Sequence, residues 1–222
     1  MITKFFVFGE RCSGTNFLTA SIQENFKLKL DLSIGHKHFF GHRSYEKSPD
    51  TIYFAITRDV VTWVDSLYKT PHHIAYASRI DKNAFLHNTF FSVWDSENPA
   101  LGIRQGEDIV QDYHITEKRR YNNIFELRNT KNKYLLDVVP KIVQHFVHIR
   151  YEDLRDDYQE TLKMISDKFN LNKKDNFTTI DTFKGYGQEK FKIKKLKNFT
   201  QNDILPLADL ELEERLGYVY EN

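Results

Sequence analysis

Residues 5–26 read FFVFGERCSGTNFLTASIQENF. Phe5, Phe6, Val7 and Phe8 are aromatic or β-branched and stop at Gly9, the pattern of a short buried strand. Beyond the turn GERCSGTN, Phe17, Leu18, Ile22 and Phe26 fall at mostly helical spacing. Strand, glycine-containing turn and helix in that order open an α/β unit. Residues 51–56, TIYFAI, begin a second one, followed by TRDV and a helical segment carrying Val60, Val64, Leu67 and Tyr68. Residues 145–149, HFVHI, form a third strand and lead through YEDL into a helix with Leu162, Ile165 and Phe169. Unbroken apolar strands suit a parallel sheet covered on both faces, so the expected fold is α/β with a central parallel sheet.

Between these units the signals are weaker. Residues 72–111 have little periodicity and read as loops and short helices, with Trp94, Pro99, Gly102 and Gly106 scattered through them. A long helical pattern, in one or two pieces, runs from about Ile115 to Val139. The residues after Phe169 read as a Lys-rich loop near 184–197 and a final helix from Leu205 to Leu216. There is no internal repeat and no low-complexity linker. The expectation is a single domain over 1–222, with a variable region at about 72–115.

With 40% apolar and 28% charged residues among 222, the chain is composed like an ordinary globular protein rather than a disordered or fibrous one. A formal charge of +1 gives no global drive toward nucleic acid or anionic membrane, so any anion site must be local. The single cysteine, Cys12, excludes an intrachain disulfide and a Cys-ligated zinc cluster. The apolar run at 5–8 is far too short for a signal-peptide core or a membrane span. The reading is a soluble, cytoplasmic protein without membrane insertion; its oligomeric state is open.

The turn from Gly9 to Asn16 carries the first chemical signal. The first N–H groups of a helix lack backbone partners and point at whatever sits before them, which makes a strand-to-helix turn an anion site. Gly14 permits close approach or positive φ, Ser13 and Thr15 offer hydroxyls, and Arg11 offers charge. The spacing is GxxxxG, but Thr15-Asn16 stands where a Walker A loop has Lys-Ser/Thr, which removes support for ATP or GTP hydrolysis. An ordinary capped turn is the alternative. The second signal is Arg58, just past the strand at 51–56, with Ser66 eight residues further on the following helix. An arginine at the carboxyl end of a parallel strand faces the crevice where α/β sheets bind ligands, and its donor fork suits a phosphate.

In these features the chain resembles the sulfotransferases that use 3′-phosphoadenosine-5′-phosphosulfate (PAPS). GERCSGTNFL is similar to the family's 5′-phosphosulfate loop, and ITRDVVTWVDSLY to its 3′-phosphate motif. HIRYEDL and LELEERLGY resemble a later strand-to-helix step and the closing helix of carbohydrate-type and bacterial members. The resemblance implies a P-loop-like three-layer α/β/α fold of sulfotransferase type. It implies that Arg11, Cys12, Ser13, Gly14, Thr15 and Asn16 hold the 5′-phosphosulfate, that Phe17 stacks near adenine, and that Arg58 and Ser66 grip the 3′-phosphate. Lys184 and Gly185, in the segment FKGYGQ, loosely resemble a late basic contact. The chain departs from the family at Cys12, where a basic residue precedes Ser-Gly; Arg11 lies one position earlier.

Sulfuryl transfer needs a base for the acceptor hydroxyl and positive charge over the sulfonate and the leaving phosphate. Histidine suits the first task. Residues 35–42, GHKHFFGH, supply three candidates, and Lys37-His38 resembles the Lys-His pair of short microbial members. His38 is thus the expected base and Lys37, with Arg11, the expected charge stabiliser. His36 and His42 follow as alternatives that would share a strand face with His38. The expected donor is PAPS, releasing 3′,5′-adenosine bisphosphate (PAP), with no metal. The acceptor is a carbohydrate or other small molecule, contacted by residues such as His72, His73, Tyr76, Arg79, Trp94, Arg104 and Tyr113. His148 reads as packed or hydrogen-bonded within the sheet rather than catalytic, and Glu152 and Asp153 as capping or sheet-end charges. The lysines from 184 to 197 read as a solvated loop or nucleotide flap, not a nucleic-acid surface. Two other functions compete: a nucleotide-dependent P-loop kinase, and a nucleotide-binding protein that has lost turnover.

Overall fold

A run of side chains that is apolar on both faces is buried only in the interior of a sheet. The computed structural model, which describes residues 1–171, 176–182, 189–193 and 195–220, places the two such runs there. In chain order the main elements are β1 (Lys4–Phe8), α1 (Thr15–Asn25), β2 (Lys29–Leu30), β3 (Thr51–Thr57), α2 (Val60–Lys69), α3 (Lys82–His87) and α4 (Ile124–Lys133). They continue with α5 (Val139–Ile142), β4 (His145–Arg150), α6 (Tyr151–Asp156), α7 (Tyr158–Phe169), α8 (Gln201–Ile204) and α9 (Leu210–Arg215). The four strands form one parallel sheet of order β2-β1-β3-β4. Every residue of the interior strand β3 is buried, whereas the edge strand β4 buries only Val147 and Ile149.

The chain divides into two compact units. The first comprises Met1–Lys37, Tyr45–Asp59 and Leu135–Lys195, and it holds the whole sheet. The register pairs Phe5 with Ile52 and Val7 with Phe54, so these side chains share one face. Helix α1 covers that face with Leu18 and Ile22, and α6 and α7 cover it with Leu154, Leu162 and Ile165. Burying each such side chain contributes about 1.5–3 kcal/mol, so this layer is the principal stabiliser of the unit. The opposite face carries a ring cluster, with Phe8 packed edge-on to Phe6 and Tyr45 and stacked on Tyr53.

The second unit comprises His38–Ser44, Val60–Tyr134 and Leu196–Asn222. Helix α2 buries Val60, Val61, Trp63, Val64 and Leu67, the inward stripe expected from its spacing. The Asp65 carboxylate receives the Asn198 N–H at 2.8 Å, with those of Lys197 and Phe199 close by, and so anchors the C-terminal segment. Arg128 on α4 forms a fork with Glu213 on α9, Nε and Nη2 donating to the two carboxylate oxygens at 2.7 and 2.8 Å. Residues 72–115 carry short helical turns, as expected, and also isolated antiparallel bridges such as Ile74 with Ser92 and Val93 with Asp108.

Two expected elements differ in extent. The pattern from Ile115 becomes α-helix only at Ile124, because the Asn123 side chain accepts the Phe125 and Glu126 N–H groups and caps the helix there. After α4 the helix widens into a π turn over Tyr134–Val138, next to Pro140, which has no N–H to donate. The final helix begins later than expected, as α9 at Leu210, after a tight turn at Leu205–Leu207 that holds Pro206 and separates it from the short helix α8 at Gln201–Ile204.

Candidate functional site

The sheet has a reversal point. From β1 the chain passes through α1 to β2 on one side, whereas β3 leads to β4 on the other. Neighbouring strands whose connections diverge open a crevice at their carboxyl ends, the favoured ligand position in parallel sheets. The turn Gly9–Gly14 follows β1, and Arg58 follows β3. Gly9 is required by close approach, since a Cβ there would lie 2.7 Å from the Ile56 carbonyl oxygen. Gly14 caps α1 in the left-handed region at φ 95°, and a Cβ would lie 2.6 Å from the Tyr151 ring. Cys12 is also left-handed, at φ 62°. Gly14 offers no side-chain cap, so the first turn of α1 is capped by no side chain of that residue. Ser13 and Thr15 are both buried.

Arg11 is only 2% exposed and its Nε donates to Glu10 Oε1 at 2.7 Å; the Arg11 backbone N–H donates to the same oxygen. Its charge is therefore matched inside the turn by the adjacent carboxylate. Two other cations reach the turn. Arg58 Nη1 donates to the Cys12 carbonyl at 3.1 Å, and its guanidinium sits 4.8 Å from the centre of the Tyr151 ring. Lys37 Nζ donates to Asn16 Oδ1, and the Gly9 N–H donates to the Lys37 carbonyl at 3.1 Å. Lys37 is thus fastened to the turn through both side chain and backbone.

Tyr151 is a site-lining residue that sequence reasoning passed over. The register pairs Thr57 with Arg150, so the next residues, Arg58 and Tyr151, emerge side by side. That pairing of strand ends was the available signal. Burial, ahead of the opposing effects of Arg58 and Arg155, pushes the Tyr151 hydroxyl pKa up. Phe17 packs edge-on to Tyr151 and tilted against Tyr158, partly buried over the core. The neighbouring charges are structural. Glu152 accepts the Asp59 N–H at 3.2 Å, and Asp153 takes the Arg150 guanidinium. His148 Nε2 lies 2.8 Å from Thr57 Oγ1, and burial, with Arg150 nearby, pushes its pKa down to about 4.

Residues 36–42 form no strand; the segment turns at Gly35 and Gly41, whose φ values are 137° and 91°. Strand alternation therefore does not relate His36, His38 and His42. His36 is exposed and His38 partly buried. In the second unit His42 is held at both nitrogens: Nε2 lies 3.2 Å from the Tyr113 carbonyl, and Lys118 Nζ lies 2.9 Å from Nδ1. Burial and then the Lys118 charge lower its pKa.

The first unit thus brings together Arg11 to Phe17, Lys37 and Arg58. His38 and Ser66 belong to the second unit, with Ser66 partly buried on α2. The expected acceptor residues are there too, and His73 and Trp94 pack edge-on with Phe39 at centroid distances of 6.0–6.5 Å. Lys184 and Gly185 lie outside the described residues. Among the described residues, no group of three or more His, Cys, Asp or Glu side chains is arranged to hold a metal ion, and no helix is long and apolar enough to cross a membrane. Comparison with protein-family models, curated proteins and solved structures returns no match for this chain. The firm conclusion is an α/β protein with a parallel four-stranded sheet flanked by helices, whose β1 and β3 ends bring a glycine turn and an arginine into contact.

Proposed function

We propose that this protein is a sulfotransferase that moves a sulfuryl group from PAPS to a hydroxyl of a carbohydrate or other small molecule. The observation that carries the reading is the meeting of Arg58 with the Gly9–Gly14 turn at the reversal point of the sheet. Backbone N–H groups at a helix start and an arginine fork are two complementary ways of holding phosphate. On this reading the sheet and helices are those of a P-loop-like three-layer fold of sulfotransferase type. The turn holds the 5′-phosphosulfate, and Arg58, with Ser66 eight residues along the chain, holds the 3′-phosphate.

The acceptor oxygen forms a bond to sulfur as the bond from sulfur to the phosphate oxygen breaks, and PAP leaves with both phosphates. His38 takes the hydroxyl proton. Lys37, already on Asn16, offsets negative charge on the departing phosphate. Because Glu10 neutralises Arg11, Lys37 rather than Arg11 is the cation of the transfer step.

Calorimetric titration with PAP, followed by PAP release from PAPS over a panel of sugars and phenols, tests the reading. Micromolar PAP binding, weakened at least tenfold by Arg58→Ala, is expected. No binding of PAP by the native protein refutes it. One observation favours a second reading, a nucleotide-binding protein without turnover: the turn has Cys12 at the family's basic position and an arginine already paired with Glu10. PAP binding without transfer to any acceptor would select it. Magnesium-dependent ATP binding in place of PAP binding would select a kinase.

A further inference from the structure

A lysine on the inward stripe of a helix requires explanation, because an ammonium taken out of water costs several kcal/mol unless it is paired and hydrogen-bonded. Lys131 is such a residue. It follows Ile124, Leu127 and Arg128 on the buried side of α4, and it is 1% exposed. Its Nζ donates to Asp112 Oδ1, a carboxylate equally buried, which also accepts the Ser92 hydroxyl. Apolar replacement of a buried ion pair is often neutral or stabilising, so stability alone does not account for this one. A further partner of the ammonium is specific: Nζ donates to the backbone carbonyl of His38 at 2.9 Å.

The segment after His38 is fastened to the same support, entirely within the second unit. Phe40 is buried, stacks on Tyr134 at 6.1 Å, and lies 5.5 Å from Lys131 Nζ. Gly41 turns against Ile115, where a Cβ would lie 2.7 Å from the Ile115 side chain. His42 bonds to the Tyr113 carbonyl and Lys118. A segment without strand or helix hydrogen bonding is thereby held at successive positions.

We propose that Lys131 is a positioning residue, which through the His38 carbonyl and with Asp112 as counter-ion fixes the backbone that presents the His38 imidazole. This deepens the sulfotransferase reading and rests on it for the role of His38. Lys131 touches neither donor nor acceptor; it acts through His38.

The test uses full-length protein carrying 13C-labelled histidine, in which the His38 ring signal is assigned with His38→Gln. Lys131→Met is combined with Asp112→Asn so that no single charge is left buried. The double variant is expected to lower the transverse relaxation rate of the His38 ring signal at least about twofold, with a free-imidazole chemical shift, while the His148 signal stays in place. A His38 signal superimposable on that of the native protein overturns the proposal. A measurement on the native protein needs no substitution. The Lys131 ammonium is expected as a slowly exchanging 15Nζ signal correlated with the His38 carbonyl carbon; its absence also overturns the proposal. PAP titration of the same samples separates the two readings. Native protein that restrains His38 but fails to bind PAP refutes sulfuryl transfer and leaves the Lys131 contact standing. With PAP binding intact, the double variant is expected to lose turnover at least tenfold at unchanged PAP affinity.

Discussion

Replacing Glu213 by Gln should destabilise the second unit by about 3 kcal/mol. The Arg128 and Glu213 side chains are 3% and 0% exposed, their contact is a two-bond fork, and the guanidinium lies 5.0 Å from the centre of the buried Trp63 ring. Removing one partner of a buried pair costs roughly 3–5 kcal/mol, since the other charge is left without compensation. Glutamine keeps the shape and one acceptor but turns an NH₂ toward a donor, which places the expected cost near the lower end. With a urea m-value of about 3 kcal/mol/M, the midpoint falls by about 1 M. Tryptophan fluorescence, from Trp63 and Trp94, reports the transition from within the affected unit. The double variant Arg128→Met, Glu213→Leu removes both charges and should return to within about 1 kcal/mol of the native protein, or exceed it. A Glu213→Gln midpoint within about 0.2 M of native at unchanged m, or a double variant as unstable as the single, would refute the reasoning.

The other predictions concern the first unit, with Gly102 of the second as a control. Gly14→Ala combines a left-handed φ with a methyl against Tyr151 and should lose about 2–4 kcal/mol in urea unfolding; Gly102→Ala, with a φ of 68° but nothing within 4 Å, should lose only about 1. Equal losses would show that the Tyr151 contact is not tight. His148 has its pKa depressed from 6.5 to about 4, so the unfolded chain binds the proton first as pH falls. Stability from this group is therefore undiminished above about pH 6.5 and declines by about 3 kcal/mol toward pH 4; His148→Gln should flatten that slope in unfolding measured at successive pH values. On the proposed reading Lys37→Met should weaken PAP binding about 10- to 100-fold by calorimetry, whereas Arg11→Met should act mainly on stability by removing a buried counter-charge of Glu10. Equal effects of the two on PAP affinity would contradict the assignment of Lys37 as the turn's cation.

Much of the sheet is legible in the residues. Phe5 to Phe8 and Thr51 to Ile56 are runs that only strands can bury so completely, and with the half-buried edge run His145 to Ile149 all three pair in parallel. The edge strand Lys29–Leu30 is two residues long, too short for any periodicity to register. Residues 36–42 looked capable of alternation, but the positive φ values at Gly35 and Gly41 exclude an extended run. At the site, the nearness of the turn to Arg58 follows from both being strand ends. The partners that determine its charge do not. Glu10 beside Arg11 reads equally well as a solvated pair, and burial alone decides that it neutralises the arginine. Lys37 with Asn16 spans 21 positions, and Lys131 with His38 spans 93; such contacts exist only after the chain has folded.

The pairing of Arg11 with Glu10 has a consequence for how the proposed anion recognition would depend on folding. A glycine turn that carried its own uncompensated arginine could attract a polyanion as a short fragment. Here the excess positive charge is imported from the ends of other segments, so a peptide spanning β1 and α1 alone would bring its helix-start amides but no net local cation. Affinity for a doubly phosphorylated ligand would then accrue cooperatively with the parallel sheet itself, and a ligand of that kind would protect the first unit against unfolding by an amount that grows with the logarithm of its concentration above Kd.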